Sequence, residues 1–229
     1  MFFVGIGATA GVLFDQLLRN VDGWRTAALT IAQRERQGMV ALARGAEARD
    51  TDTGDHIHRV HSLAEALAQA AALSSDEAEA IGWAAMLHDV GKLHIPDRVL
   101  LKPGPLNAEE WELMRQHTVF GEAILSVGEG FETARRIARW HHENFDGSGY
   151  PDGLRHERIP LEARIVRVAD AFDGITSIRP YHQARSIEWA LAELQRHAGS
   201  QFDPELVALF LDLVESGRLP LRELPQAAA

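Results

Sequence analysis

The sequence predicts an all-α fold, a helical bundle with an N-terminal helical lead-in. Apolar residues recur every three or four positions through most of the chain, which is the period of a helix that buries one face. The alternation of polar and apolar residues that marks strands is absent from the sequence. Helix-start signals precede two periodic segments, where Ser74 is followed by Glu77 and Asn107 by Glu110. These observations favour helices packed around a common core.

Composition narrows the range of functions. The chain has 229 residues, which suggests one domain with an extension or two small domains. A net charge of −10 argues against a DNA or RNA binder and against binding to an anionic membrane surface. Because there is no cysteine, disulfides, thiolate metal sites and cysteine nucleophiles are excluded. The positions of the 11 histidines therefore carry the functional argument.

The N-terminal lead-in is predicted to be helical from Gly11 to about Arg49. Its apolar residues share one stripe, which comprises Leu13, Leu17, Val21, Trp24 and Ala28. The apolar start is too short to span a bilayer and lacks the basic region of a signal peptide, so we expect a cytoplasmic protein, either whole or cut from a membrane-anchored one. The predicted organisation is a lead-in at 1–49, a helical domain at 50–217 and a C-terminal tail at 218–229.

The first helix of the domain carries a histidine among apolar residues. After the turn residues DTDTGD, one helical stripe contains His56, Val60, Leu63 and Leu67. His56 therefore points toward the core, either as a buried structural histidine or as a ligand. Asp52 lies four residues earlier and could reach the same side.

The stretch AAMLHDVGKLHIP organises the rest of the chain. Its apolar helical run presents His88 and Asp89 side by side, Gly91 ends the helix, and Lys92 follows within one turn. A neutral imidazole beside a carboxylate suits a divalent metal. The lysine adds a cation that could meet a phosphate oxygen. The alternative for such a pair in isolation is a buried structural histidine and a helix-end aspartate.

The next helix is predicted to begin at Ala108 and to continue through His117. Trp111, Met114 and His117 are spaced by three residues. This spacing places the histidine on the same apolar stripe as the tryptophan and the methionine.

A further helix is predicted from Phe131 to Glu143, and it ends in His141 and His142. Neighbours on a helix point about 100° apart. These two histidines therefore cannot easily meet one ion. They can meet two ions, or one ion and a bound ligand.

The last third of the chain begins with NFDGSGYPDGLRHERIP, whose glycines and prolines predict a long loop. A helix from Leu161 to Ile175 follows and contains Asp170 in an otherwise apolar run. A carboxylate in such a run is costly unless it is paired or bound to a metal. Two more helices are predicted, from Ser186 to Ala198 and from Glu205 to Val214, the second capped by Asp203–Pro204.

Seven histidines and aspartates lie on apolar faces or helix ends, spread over five helices that must share one core. They are His56, His88, Asp89, His117, His141, His142 and Asp170. So many ligand-type residues favour a metal centre over separate structural roles. Nitrogen and oxygen donors suit iron, manganese or another first-row metal better than a structural zinc. A carboxylate such as Asp89 can bridge two ions, and a two-metal centre suits phosphodiester hydrolysis without a covalent nucleophile.

With these motifs in place, the chain resembles the HD-GYP family of cyclic di-GMP phosphodiesterases, a branch of the HD-domain metal-dependent phosphohydrolases. The resemblance covers roughly Asp50 to Phe210 in the order of the family. The matching stretches are DTGDHIHRV, LHDVGKLHIPDRVLLKPGPL, HHENFDGSGYPDGL, IPLEARIVRVADAFDGITSIRPY and FDPELV.

The resemblance implies an HD-domain helical bundle with two or three divalent ions, iron or manganese first and nickel or magnesium among the others. The seven residues named above resemble the metal ligands of the family. Asp52 stands where some members use a glutamate for a third ion, and its side chain is one methylene shorter. A third ion is therefore left open. Lys92 resembles the lysine that contacts a substrate phosphate.

The resemblance also assigns substrate contacts. Gly149, Tyr150 and Pro151 form the GYP triplet, and Tyr150 is expected to shape the substrate loop. In the family this loop is credited with contacts to diguanylate cyclase (GGDEF) domains. Arg179 resembles a residue that binds a substrate phosphate. His182 stands where lysine or arginine is usual, which puts one phosphate contact in doubt.

The predicted function is metal-dependent hydrolysis of cyclic di-GMP to pGpG, with further cleavage to GMP left open. One alternative is a catalytically weak module that binds a cyclic dinucleotide or docks a diguanylate cyclase. Another is an HD phosphohydrolase for a different nucleotide, such as a hybrid cyclic dinucleotide. A homodimer through the N-terminal helix is a further hypothesis.

Overall fold

The computed structural model describes residues 4–49, 55–128, 130–177 and 184–219. Within these ranges there is no strand, and the predicted all-α class is confirmed. Short 3₁₀ turns lie at Val90–His94 and His156–Arg158. The helices, in chain order, are α1 Val4–Glu47, α2 His56–Ala70, α3 Ser75–Ala85, α4 Asp97–Leu100, α5 Ala108–Arg115, α6 His117–Leu125, α7 Glu132–Trp140, α8 Leu161–Thr176, α9 Ile187–Arg196 and α10 Pro204–Glu215.

The chain divides into two compact units, residues 1–40 and 41–229. The first consists of most of α1. Among its described residues, several large apolar side chains are exposed, including Leu17, Val21, Trp24 and Ile31. In the described part of the chain, no helix combines the length and the apolar character needed to cross a membrane.

The second unit contains the hydrophobic core. Helix α2 contacts α3, α8 and α10, so it lies at the centre of the bundle. Val60 and Leu67 on α2 are fully buried, as are Ile165 and Phe172 on α8. The ring of Phe172 meets that of Phe210 edge to face, with centroids 4.9 Å apart. Close packing of large side chains fixes the helices against one another, and with them the residues that they carry.

The predicted helix starts are present. Ser74 accepts a hydrogen bond from the backbone of Glu77, whose carboxylate accepts one from the backbone of Ser74. Asn107 and Glu110 form the same reciprocal pair at α5. At α10, Asp203 caps the helix and Pro204 takes its first position. Each cap satisfies backbone N–H groups that a helix start leaves without partners.

The predicted helix from Ala108 through His117 is wrong in its extent. Helix α5 ends at Arg115, and a separate helix, α6, begins at His117. Trp111 was expected on the buried stripe, yet it is 47% exposed, whereas His117 is buried. The break changes the direction of the chain, so the stripe that the spacing predicts does not continue from one segment to the next.

The helix before the His88–Asp89 pair also ends earlier than predicted. Helix α3 stops at Ala85, and the pair lies in the turn that leads into Val90–His94. Gly91 is required there for a different reason from helix breaking. A Cβ at this position would lie 1.8 Å from the carbonyl oxygen of His117, so only glycine allows the turn to pack against α6.

Candidate metal centre

The structure brings together the seven histidines and aspartates that the sequence places on apolar faces or helix ends. They form two groups, and within each group the candidate ligand atoms lie within 4.8 Å of one another. One group is Asp89, His117, His141 and His142, and the other is His56, His88 and Asp170.

The carboxylate of Asp89 lies between the two groups. Its Oδ1 atom is 3.4 Å from Nε2 of His117 and 3.7 Å from Nε2 of His141. Its Oδ2 atom is 3.3 Å from Nε2 of His88, in the other group. The two oxygens thus face different groups, which is the arrangement of a carboxylate that bridges two cations.

Asp170 completes the second group from helix α8. Its Oδ1 atom lies 3.7 Å from Nε2 of His56 and 3.9 Å from Nε2 of His88. Nε2 of His88 therefore lies within 4 Å of a carboxylate oxygen of Asp89 and of one of Asp170.

His141 and His142 belong to the same group, contrary to the expectation that adjacent histidines would serve different ions. The expectation assumed that both lie on a helix. Helix α7 ends at Trp140, and the two histidines occupy the turn that follows. Their ring centroids are 4.1 Å apart. A turn lets neighbouring side chains converge, which a regular helix does not.

Three of the histidines have a fixed tautomer. In each, Nδ1 lies 2.7 to 3.0 Å from a backbone carbonyl oxygen three or four residues earlier. A carbonyl only accepts, so Nδ1 carries the hydrogen and Nε2 keeps its lone pair for a metal. The pairs are His88 with Ala85, His117 with Met114, and His141 with Ile137.

His56 is oriented by a residue that the sequence analysis missed. Its Nδ1 atom donates to Oδ2 of Asp173 at 2.6 Å, and Asp173 also accepts from Arg59 and Ser177. Burial opposes ionisation of Asp173, but the hydrogen bonds from His56 and Arg59 outweigh it and lower the pKa of this carboxyl. The available signal was spacing, since Asp173 follows Asp170 by one turn and Arg59 follows His56 by one turn.

The electrostatics of the centre favour a cation. Burial opposes a charged His88, yet the carboxylates of Asp89 and Asp170 outweigh it and raise the pKa of His88 to about 9. Burial lowers the pKa of His117 to about 4. Burial and the neighbouring histidines hold the pKa of His142 well below its usual value. The centre therefore has a negative potential that favours a cation, and His117 and His142 are neutral imidazoles, the form that binds metals. A metal ion bound at His88 would take the place of the proton that the two carboxylates stabilise there.

Two buried atoms without partners also indicate a site for a cation. Within the part of the chain that the structure describes, Nε2 of His88 and Oδ1 of Asp89 are buried without a hydrogen-bond partner. Buried polar atoms without partners are costly and call for an explanation such as an ion. Both atoms carry lone pairs and belong to the two groups above, so the residues fit divalent cations.

Lys92 lies where the motif places it, next to the carboxylate of Asp89. Its Nζ atom is 2.8 Å from Oδ2 of Asp89. Burial would raise the pKa of Asp89, but Lys92 and His88 outweigh it and keep the pKa well below its usual value. The ammonium group is partly exposed, so it is placed to meet an anion that approaches the centre.

The residues just after α1 contact the turn that carries Lys92, which the sequence analysis did not foresee. Arg49 donates to the carbonyl oxygens of Leu93 and Ile95, the latter at 3.1 Å. It also pairs with Asp97 at 2.6 Å. Nothing in the helical periodicity of this segment indicated these contacts, since they join residues more than 40 positions apart.

The Gly149–Pro151 triplet packs against the centre. The ring of Tyr150 stacks on His142 with centroids 4.9 Å apart, and burial raises the pKa of its hydroxyl to about 12. The Tyr150–Pro151 peptide bond is cis. A Cβ at Gly149 would lie 2.2 Å from the backbone nitrogen of Asn144, so glycine is required there.

The loop around the triplet is held by two carboxylates. Buried Glu143 accepts hydrogen bonds from the backbone of Asp152 at 2.7 Å and of Leu154 at 3.1 Å. The Asp152 side chain accepts from Arg139 and from the indole of Trp140. These contacts tie the loop to α7, whose end carries the paired histidines.

Three of the predicted site residues lie outside the described residues: Asp52, Arg179 and His182. Their expected roles in a third metal site and in phosphate binding stay predictions.

The chain is similar in sequence to an established family and to proteins of known function. Residues 31–206 match the family described as HD domain. The chain is 44% identical over 196 residues to the cyclic di-GMP phosphodiesterase response regulator RpfG of Xanthomonas campestris pv. campestris, which covers 85% of this chain and 51% of that protein. It is 42% identical over 204 residues to the 3'3'-cGAMP-specific phosphodiesterase 2 of Vibrio cholerae, which covers 88% of this chain and 38% of that protein.

A solved structure has the same fold. The structure of a cyclic GMP-AMP-specific phosphodiesterase of V. cholerae, V-cGAP3, aligns with a TM-score of 0.64 at 22% identity, over 83% of this chain and 51% of that chain. The present chain thus spans about half or less of the length of the relatives it matches.

Proposed function

The chain belongs to the HD-domain family, and from this premise we propose that it is a metal-dependent phosphodiesterase that hydrolyses cyclic di-GMP to pGpG. The observation that carries the proposal is the pair of His/Asp groups joined by Asp89. The motifs indicated a resemblance to cyclic di-GMP phosphodiesterases, and the 44% identity to such a protein confirms it.

The two groups would hold two divalent ions, for which iron and manganese are the first candidates. Bound there, such ions supply an activated water and offset the charge of a phosphodiester. Imidazole and carboxylate donors without thiolates support this choice of metals. Asp52 remains our candidate ligand for a third ion.

The residues of the chain itself bind and orient the substrate. Lys92 offsets charge on the phosphate that is cleaved, since its ammonium lies beside the bridging carboxylate. Tyr150 forms the wall of the site over His142 and limits access. Arg179 and His182 are the other candidates for phosphate contacts in this proposal.

A cyclic dinucleotide with a different second base is an alternative substrate. Relatives of similar identity are named for cyclic di-GMP in one case and for 3'3'-cGAMP in another. The metal groups act on the phosphodiester, which both dinucleotides share, so they do not distinguish between them. Hydrolysis of the hybrid dinucleotide is therefore our second candidate.

Two partners are proposed beyond the substrate. The first is a diguanylate cyclase (GGDEF) domain that docks on the loop around Tyr150, as the family resemblance implies; Asp146 and Ser148 of this loop are exposed. The exposed apolar side chains of α1 support a homodimer. If the chain binds nucleotide without cleaving it, docking and sensing become its function.

The test is product analysis with defined metals. Protein loaded anaerobically with iron(II), and separately with manganese(II), is incubated with cyclic di-GMP and with 3'3'-cGAMP, and the products are separated by chromatography. We expect pGpG, loss of activity with a chelator, and a loss of at least about 100-fold in His88→Ala. Absence of product in protein of verified metal content would contradict the proposal and favour the binding module.

A further inference from the structure

Arg115, which was not among the predicted site residues, lies over the ring of Tyr150. Arg115 is the last residue of α5, two positions before His117. Its Cζ atom lies 5.5 Å from the centroid of the Tyr150 ring, and that ring stacks on His142. A guanidinium in this position is attracted by the aromatic ring, which holds it at the edge of the metal centre.

The guanidinium is available to a ligand. The side chain of Arg115 is 47% exposed, and its ion-pair partner, Glu112, is 69% exposed, with 3.0 Å between Nη1 and Oε1. Exposed pairs of this kind contribute little to stability, because water and salt compete with them. An anion held at the centre can therefore take the place of Glu112 at small cost.

Two cations thus lie next to different residues of the centre. Lys92 contacts the Asp89 oxygen that faces His88. Arg115 lies over Tyr150, which stacks on His142. His142 belongs to the group that the other Asp89 oxygen faces. Burial raises the pKa of the Tyr150 hydroxyl, whereas both cations act to lower it, so an anionic ligand beside Tyr150 lies in the field of both.

A cyclic dinucleotide carries two phosphodiesters on opposite sides of one ring. Only one of them can lie at the metal groups during a cleavage step, where Lys92 offsets its charge. The other keeps its negative charge and needs a partner at the edge of the site. The planar fork of an arginine suits a phosphate, because it donates two parallel hydrogen bonds.

We propose that Arg115 binds the phosphodiester that is not being cleaved, and that it thereby favours cyclic dinucleotides over esters with a single phosphate. The inference rests on the proposed function for the identity of the ligand. It gives the edge beside Tyr150 a role in substrate selection that the metal groups do not have.

The test compares two substrates in the metal-loaded protein. For Arg115→Ala we expect a rise of about 10- to 100-fold in KM for cyclic di-GMP with little change in kcat, as for the loss of a charge-assisted hydrogen bond. With bis(p-nitrophenyl) phosphate, which has one phosphate, KM should not change. Arg115→Lys should be intermediate, because an ammonium keeps the charge without the fork.

Arg136→Ala is the matched control. Arg136 on α7 is 49% exposed and pairs with Glu162 on α8 at 2.9 Å. It should leave both KM values unchanged. Thermal unfolding and metal content of each variant show whether it folds like the wild type.

Two results would overturn the inference: an unchanged KM for cyclic di-GMP in Arg115→Ala, or equal rises for both substrates. If the wild type cleaves the single-phosphate ester but no cyclic dinucleotide, the proposed function fails separately. If the wild type binds cyclic di-GMP without turnover, the same comparison is made on dissociation constants. Arg115→Ala should then weaken binding about 10- to 100-fold, and an unchanged constant would contradict the inference.

Discussion

At the scale of single residues, orientation is what separates a metal centre from a set of buried histidines. In His88 and His117, Nδ1 donates a hydrogen bond to a backbone carbonyl oxygen, which leaves Nε2 of each ring directed at a carboxylate. For His56 the orienting partner is charged, since Asp173 is fully buried and also holds Arg59. Such partners raise the basicity of a ligating imidazole and fix its direction.

Replacement of Asp173 by asparagine tests this support. Asp173→Asn leaves the buried Arg59 without its counter-charge, so we expect a loss of about 3 kcal/mol in the free energy of unfolding, measured by urea denaturation of the metal-free protein. Metal affinity at the His56 group should fall about 10- to 100-fold, measured by chelator competition.

The control for this variant is an exposed ion pair. Asp212 and Arg218 are 65% and 58% exposed, so Asp212→Asn should cost less than about 1 kcal/mol and leave metal affinity unchanged. Equal effects of the two substitutions on metal affinity would show that the buried Asp173–Arg59 pair does not orient His56.

At the scale of elements, the start signals of helices were predictable and several helix ends were not. The capping boxes at Ser74 and Asn107 are local, because donor and acceptor lie three residues apart. The ends after Ala85, Arg115 and Trp140 carry no glycine or proline and follow from packing. Periodicity continues across such ends, and so it overestimates helix length.

The contacts of Arg49 give a prediction at this scale. Arg49→Ala removes hydrogen bonds to Leu93, Ile95 and Asp97, so the turn that carries Lys92 loses its anchor. We expect a loss of about 1–2 kcal/mol in unfolding free energy and a several-fold rise in KM for the dinucleotide, with unchanged metal content. Urea denaturation, steady-state kinetics and elemental analysis measure these three quantities.

Arg49→Lys should recover little of this effect, because one ammonium cannot reach three acceptors in a fork. Arg44→Ala is the control, since Arg44 is exposed and its guanidinium lies 3.5 Å from Nε2 of His58, which is not one of the acceptors of Arg49. An unchanged KM in Arg49→Ala would mean that the turn keeps its position without this anchor.

At the scale of the whole molecule, the first unit differs from the second in what it exposes. Leu17, Val21, Trp24 and Ile31 are 59%, 56%, 80% and 56% exposed, and they lie on one stripe with Ala28. Their spacings of four, three, four and three match the a and d positions of a coiled coil. This pattern supports the homodimer proposed above.

Substitutions on this stripe test the dimer. Leu17→Asp combined with Trp24→Asp should convert the protein to a monomer in sedimentation-velocity experiments, because charge would be buried between the two helices. Leu29→Asp is the matched control: Leu29 is 64% exposed but lies off the stripe. A monomeric wild type, or equal effects of both changes, would contradict the homodimer.

The sequence by itself determined the all-α class, the caps and the set of seven ligand-type residues. It could do so because each of these depends on residue type and on spacing within a few turns. His56 and Asp170 stood out since they are polar residues on apolar stripes, and both lie in the second group.

Only the tertiary structure decided how these residues combine. It placed Asp89 between the two groups, put His141 and His142 in the same group, and supplied Asp173 as the partner of His56. The physical reason is that periodicity specifies which face of a helix is buried, whereas the contacts that build the centre join residues far apart in the chain. Those contacts depend on where helices end and how their side chains pack, which no local pattern contains.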